Sequence, residues 1–337
     1  MRAPKITKLS NFVNSQSGDL FMVGADELRT ILTPAICLAA LEDAYRHLHS
    51  APEDSGRSLG FMTEHGKFHV KAGLYPGRHN FFAAKVNANF PENQHRFDLP
   101  TIQGLIVLCN CEDGCPVAIL QSGELTGRRT AAATALAAKH GARADSQTLV
   151  MIGCGAQARH QIMAVFDILP IKRLIAVDVD PSNAEDLSYW ATETLGIEAE
   201  PTSDIGDAVA GCDIAITSTT STQPIVTPDM VPAGCFIAAV GADNPDKQEL
   251  DPALFGNARI LVDDLEQCAE GGDLAHAIRA GMVSRKDVAA TLADLAAGAQ
   301  PGRRSENEIV IFDSTGTGIQ DVAVSFAAYQ AIKTASE

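Results

Sequence analysis

The chain has 337 residues, is 46% hydrophobic and carries a formal net charge of −16. A field of that sign repels phosphate backbones, which argues against nucleic acid as a partner, and no apolar run reaches the roughly 18 residues that a membrane span needs. A length above about 250 residues favours two domains.

The polar opening, MRAPKITKLSNFVNSQSGDL, lacks the apolar core of a signal peptide and reads as a loose arm, which points to the cytoplasm. From Ala25 to His49 apolar residues recur at helical spacing, among them Leu28, Ile31, Leu32, Leu41, Ala44, Tyr45 and Leu48. This predicts one or two amphipathic helices. Four runs then read as strands, KFHVKAGLYP, FFAAKVNANFP, TIQGLIVLCN and CPVAILQS, separated by turns rich in Gly, Pro and Asn. Strands in succession without helices between them predict an antiparallel or mixed sheet. Cys109, Cys111 and Cys115, in CNCEDGC, match no metal-ligand spacing and read as reduced thiols, so no metal is expected.

ELTGRRTAAATALAAKHGAR is an Ala-rich helix with Gly141 as its stop. Beyond it strands and helices alternate, the strands being TLVMIG, RLIAVDV, CDIAITST, CFIAAVG, ARILVDD and EIVIFDS. Alternation predicts a parallel sheet with helices on both faces. GIQDVAVSFAAYQAIKTA is a last amphipathic helix, which returns to the first part. The predicted class is α/β: a Rossmann-type doubly wound parallel sheet over residues 126–314, and a discontinuous α+β domain over 1–125 and 315–337.

Gly153, Cys154, Gly155, Ala156, Gln157 and Ala158 lie between a predicted strand and a predicted helix. Gly153 permits the tight turn, Gly155 lets a pyrophosphate approach the backbone, and the small Ala158 lets helix and strand pack closely. Phosphates then sit on the helix N-terminus. Asp178 ends the next strand and suits the ribose hydroxyls of NAD; it would repel the 2′-phosphate of NADP, and Val179 offers no arginine to hold one. NADH is therefore favoured over NADPH, with Asp180 as a competing ribose ligand. Thr217, Ser218 and Thr219 follow the strand CDIAIT and are placed on the adenosine side.

Seven stretches, SGRSLG, FFAAKVNANFPEN, LPTIQGLIVL, ELTGRRTAAATALAAKH, LVMIGCGAQARHQ, VGADNPDKQEL and IFDSTGTGIQDVAV, occur in that order. With them the chain resembles the ornithine cyclodeaminase and μ-crystallin family from about residue 20 to its C-terminus. The resemblance implies an NAD(P)-binding domain inserted in a substrate-binding and dimerising domain, and reactions that interconvert imines and amines beside a carboxylate. Arg57 and Arg129 match the family arginines that clasp the substrate carboxylate. Arg129 is also read at the N-terminus of its helix, where arginine and free amides make an anion site.

Lys85 sits inside an apolar strand, where burial is costly unless the charge is paired or used. The resemblance makes it the group that polarises the imine or carbonyl and steadies a water. Asp243 matches the aspartate that exchanges a proton with the substrate nitrogen, work that a raised pKa from partial burial would suit. Lys247 and Glu249 are read as part of the turn beside it. Thr130 and the loop of Gly316 and Gly318 match positions near the cofactor, and Asp321 is read as a cap of the last helix. His69 and Lys71 depart from the ornithine-deaminating members, which carry an acidic residue nearby. Basic groups there suit a second carboxylate better than an ammonium.

The sequence thus predicts NADH-dependent reduction of an imine beside a carboxylate to an amino acid, of the imine-reductase or amino-acid-dehydrogenase type, with iminosuccinate to aspartate as a candidate. A small imino or amino acid and a second copy of the chain are the expected partners. One alternative is a redox-neutral cyclodeaminase turning ornithine into proline and ammonia; it needs an acidic group, for which Glu64 is the candidate. Another is a non-catalytic, crystallin-like NAD(P)- or small-ligand-binding protein, disfavoured because Arg57, Arg129, Lys85 and Asp243 are all present.

Overall fold

Continuous apolar runs cannot face water on either side, and in this chain they form the centre of a parallel sheet. The computed structural model describes residues 6–10, 19–50, 56–75, 77 and 80–336. The chain divides into two units, Met1–Arg129 with Thr317–Glu337, and Thr130–Gly316.

In the first unit, β1 (Thr7–Leu9), β2 (Leu20–Val23), β3 (Arg57–Met62), β4 (Lys67–Leu74), β5 (Phe81–Asn89), β6 (Ile102–Asn110) and β7 (Pro116–Gln121) form one sheet. Its order is β1-β2-β7-β6-β5-β4-β3, antiparallel throughout except for β2 beside β7. The loose arm expected at the start is thereby corrected: Thr7–Leu9 pairs in register with Leu20–Met22, backbone bonding that polarity alone does not reveal. The rest of that stretch, residues 1–5 and 11–18, lies outside the described residues.

Helices α1 (Ala25–Ile31) and α2 (Pro34–Ser50) follow β2, split where Pro34 cannot continue a helix. A short α3 (Asn93–Phe97) joins β5 to β6. The C-terminal helix, Gly318–Ser336, lies against α2, β4 and β5. Two glycines permit that approach: a Cβ on Gly73 would stand 2.7 Å from the Gly318 carbonyl carbon, and one on Gly318 would stand 2.5 Å from the Ala72 oxygen. Aromatic contacts fix the helix further along, with Phe326 4.7 Å from Phe81 and 5.4 Å from Tyr75 between ring centres. The opposite sheet face is apolar and exposed, at Leu59, Phe61, Phe68, Leu74, Val86 and Leu105.

Helix α4 (Ser122–Gly141) carries the boundary between the units. The second unit's main strands are β8 (Thr148–Ile152), β9 (Arg173–Val177), β10 (Glu198–Thr202), β11 (Ile214–Thr217), β13 (Phe236–Ala239), β15 (Arg259–Val262), β16 (Val288–Thr291) and β17 (Val310–Asp313). They form an eight-stranded sheet in the order β10-β9-β8-β11-β13-β17-β15-β16. Every pairing is parallel. Strands β12 (Thr222–Val226) and β14 (Gln248–Leu250) pair separately.

Helices α5 (Ala158–Phe166), α6 (Pro181–Leu195) and α7 (Ile205–Ala210) connect the first strands, and α8 (Pro252–Phe255), α9 (Leu265–Gly271), α10 (Asp273–Arg279) and α11 (Leu292–Ala296) the later ones. The sheet is wound outward both ways from β8 and β11, so the strand order reverses between them. A doubly wound sheet opens its ligand crevice at the carboxyl ends of such strands.

Candidate active site

An ammonium inside a sheet needs a counter-charge, and Lys85 has one. Pleating puts alternate residues of β4 and β5 on one face, and the register sets Lys71 directly opposite Lys85 and His69 opposite Asn87. That is the face covered by the C-terminal helix. Lys85 is 3% exposed, Asp321 1% and Arg129 6%. The Lys85 Nζ stands 2.9 Å from Asp321 Oδ1 and 2.8 Å from Oδ2, and 3.4 Å from Thr126 Oγ1. Arg129 Nε lies 3.2 Å from Asp321 Oδ1, close enough for charge pairing though off the hydrogen-bonding direction. Arg129 Nη1 donates to Gln320 Oε1 at 2.7 Å, and Gln320 Nε2 donates to the Tyr45 hydroxyl at 2.9 Å.

Burial drives the Lys85 ammonium down to about 7, with Asp321 opposing that fall and Arg129 and Lys71 adding to it. Burial alone would push the Asp321 carboxyl up, but Lys85, then Arg129 and Lys71, overcome it and hold the group below its ordinary range. One carboxylate therefore faces three cations, and the excess positive charge suits an anionic ligand.

Two expectations are corrected here. Asp321 is no cap: it is the buried counter-ion of Lys85 and Arg129. Arg129 does not stand at a helix N-terminus either, since α4 begins at Ser122, about two turns earlier. Amides that deep in a helix are spent on the preceding turn, so the anion site here is made by side chains. Arg57 opens β3 opposite Ala72, in the row alternate to Lys71, and is exposed.

In the second unit the chain leaves β8 at Gly153 with φ +93, and a Cβ there would stand 2.5 Å from the Ser218 oxygen. Only glycine meets both conditions. A Cβ on Gly155 would meet nothing within 4 Å, so that backbone lies open to a ligand. Ala158 is fully buried, which seats α5 on the sheet. The loop borders a cleft of ≈ 320 Å³ lined by Cys154, Gly155, Ala156, Arg159, Asn183 and Leu187, among others. In the same loop, Gln157 Oε1 is buried without a partner among the described residues. Burial, with Asp178 beside it, pushes the Cys154 thiol up to about 12, so no thiolate competes with an anion.

Asp178 follows β9 and accepts from the Cys154 amide at 2.7 Å and the Asp180 amide at 2.9 Å. Asp180 caps α6, accepting from the Ser182 amide at 3.0 Å. One of these two carboxylates thus adjoins the glycine loop and the other closes a helix. An open glycine loop, a helix N-terminus and a carboxylate at the next strand end fit a dinucleotide's pyrophosphate and ribose.

Other expected ligands are engaged differently. Thr217 and Thr219 hydroxyls donate to the buried Glu249 at 2.7 and 2.8 Å, leaving Ser218 between them. Glu249 is therefore not a turn residue; it lies in β14 and also accepts the Thr219 and Gly241 amides. Asp243 lacks the burial expected of it: its side chain is 53% exposed and lies 2.9 Å from Lys247 Nζ, because its strong turn sequence projects it outward. Thr130 is buried in α4, and the Gly316 amide donates to Asp263 Oδ2 at 2.7 Å. The structure thus brings Lys85, Arg129 and Lys71 together, with Asp321 as the residue that sequence reasoning missed. Its signal was a Gln-Asp pair set just before an apolar run, VAV, in the first turns of the last helix.

A sequence model described as the ornithine cyclodeaminase/mu-crystallin family matches residues 25–336. The chain belongs to that family. An alanine dehydrogenase of Archaeoglobus fulgidus is 40% identical over 306 residues, 90% of this chain and 92% of that protein. The structure of an archaeal alanine dehydrogenase dimer with bound NAD aligns at a TM-score of 0.86 and 33% identity, covering 94% of this chain and 97% of that one. The iminosuccinate reductase of Paracoccus denitrificans in complex with NAD+ aligns at 0.85 and 29% identity, covering 94% and 97%. Membership makes the second unit's architecture that of NAD-binding relatives. Among the described residues, no helix is long and apolar enough to cross a membrane.

Proposed function

We propose that the chain is a cytoplasmic, NADH-dependent reductase of an imine that stands beside a carboxylate, giving an amino acid. The observation that carries this reading is the buried cluster of Lys85, Arg129 and Lys71 around a single carboxylate, which leaves positive charge for an acid substrate. Arg129 holds the substrate carboxylate through the guanidinium edge that Asp321 and Gln320 leave over; Arg57, exposed at the start of β3 and in the row alternate to Lys71, is the second arginine assigned to that group. Lys85 supplies positive charge beside the C=N bond, and Asp243 moves the proton at nitrogen. Bound NADH supplies the hydride. Gly153, Gly155, Ala156, Gln157 and Ala158 hold its pyrophosphate and Asp178 its ribose, with Thr130, Ser218 and Gly316 alongside. The carboxylate of Asp178, followed by an exposed Val179, favours NADH over NADPH.

Lys71, facing Lys85 across the strands, and His69 on the same face favour a second carboxylate on the substrate, so iminosuccinate is the preferred imine. The exposed apolar face at Leu59, Phe61, Phe68 and Leu105 is assigned to a second copy of the chain, which the dimeric archaeal relative supports.

The test follows NADH oxidation with oxaloacetate plus ammonia, pyruvate plus ammonia, and a cyclic imino acid. Ornithine is tested in parallel for ammonia release without change in NADH. Turnover of the first set carries the proposal, with oxaloacetate preferred. Steady ammonia release from ornithine alone overturns it in favour of a cyclodeaminase.

A further inference from the structure

A buried carboxylate that touches two cations at once is poorly explained as packing. Asp321 projects from the first turn of the C-terminal helix, which the Gly73–Gly318 crossing holds tight against β4. Its neighbours come from three other elements. Lys85 lies on β5, Lys71 opposite it on β4, and Arg129 on α4 beside Thr126. The β6 residue paired with Lys85 is the apolar Ile106, which contributes no charge.

Count the donors. Lys85 directs N–H groups at Asp321 and Thr126, and an ammonium has three, so one is left. Arg129 sets Nε 3.2 Å from Asp321 as a charge pair and gives Nη1 to Gln320, while Nη2 has no partner among the described residues. We propose that Asp321 is the positioning residue of this site, holding Lys85 charged and turning the guanidinium of Arg129 so that one N–H of Lys85 and the Nη2 group of Arg129 are left for the substrate.

The physical reason lies in the balance of charges. Without Asp321, three cations would share a dry region with no opposite charge, and the most buried lysine would give up its proton. Arg129 would keep its charge, as guanidinium does, but would lose the edge contact that fixes its rotation. Gln320, held by Tyr45, anchors only the other nitrogen. Asp321 touches no substrate in this scheme; it acts through the two groups that do.

This inference rests on the reading of the cluster as the substrate site, yet its test is independent of any substrate. Lys85 is titrated by nitrogen-15 NMR on lysine-labelled protein, assigned with K85M, in wild type and D321N. The expected result is a midpoint lower in D321N by at least about one pH unit. In D321E, which keeps the charge, the midpoint is expected within about half a unit of wild type. Superimposable titrations in wild type and D321N overturn the proposal.

If D321N fails to fold, K85M/D321N is expected to fold, because it removes the uncompensated ammonium as well. A double variant that is equally unfolded overturns it. Where imine reduction is observed, D321N is expected to raise KM at least tenfold and to move the alkaline limb of kcat/KM to lower pH, with partial rescue in D321E. A fall in kcat at unchanged KM and unchanged pH limb counts against positioning.

Discussion

Lys85 is one residue in an apolar strand, and burial and a counter-charge pull its proton in opposite directions. Burial lowers the ammonium to about 7 and Asp321 resists. If the charged form carries catalysis, activity falls as pH rises through about 7, and kcat/KM measured from pH 6 to 9 is expected to decline accordingly. Stability runs the other way. The unfolded chain holds the Lys85 proton up to its ordinary range near 10.4, so between about 7 and that range the unfolding free energy rises with pH. Lys71 is the second residue-scale test. In K71M the KM for the imine of oxaloacetate is expected to rise about tenfold or more, the worth of one charge-assisted hydrogen bond. The imine of pyruvate is expected to change little; equal losses on both would remove Lys71 from the substrate's second carboxylate.

At the scale of elements, the parallel strands were legible because each is a continuous apolar run ended by a turn residue, as in LVMIG and CFIAAVG. Strand β10 was not legible: it is an exposed edge reading EAEPT, with Pro201 inside it. The glycine loop could be read residue by residue, since φ and close approach restrict it locally. The start of α4 and the partner of Asp321 could not, because each depends on contacts made by residues far apart in sequence. The same limit hid a group of buried carboxylates at the strand ends of the second unit. Asp313 caps α10, accepting its first two amides, and Gly272 leaves the room.

Asp273, the first residue of α10, accepts the Glu249 and Leu250 amides at 2.8 and 2.9 Å through Oδ1, while Oδ2 has no partner among the described residues. Burial, with Glu249 beside it, raises its carboxyl to about 7. A raised pKa means that its contribution to stability is greatest below the unfolded value of 3.8 and is lost as pH rises to about 7. D273N keeps the Oδ1 acceptor and removes the charge. Its thermal midpoint is expected to exceed wild type by roughly 3 °C at pH 8, with no gain at pH 4. A lower midpoint at pH 8 would show that the ionised form is needed.

Over the whole molecule, a chain of net charge −16 builds a buried centre of the opposite sign. Overall charge therefore argues only against polyanionic partners and says nothing about the ligand. The change from successive strands to alternating strands and helices falls in the stretch that opens at Glu124, and the two units divide between Arg129 and Thr130. The apolar face of the first unit was not foreseen as a continuous surface, since its members come from four strands whose register the sequence does not state. Phe61 and Leu105 are both more than half exposed on that face. If two copies meet on that face, F61E is expected to lower the sedimentation coefficient from that of a dimer to that of a monomer, while leaving NADH binding intact. An unchanged dimer would place self-association elsewhere.

The counter-ion of Lys85 arrives 236 positions after the lysine itself. No nascent chain that stops before Asp321 can make that pair, whereas Gly316, the last residue of the inserted unit, has by then been translated. The unit that holds Lys85 is therefore completed only after the unit inserted in it, and a message truncated just before the C-terminal helix encodes every other charged group of the cluster but not the one that balances them.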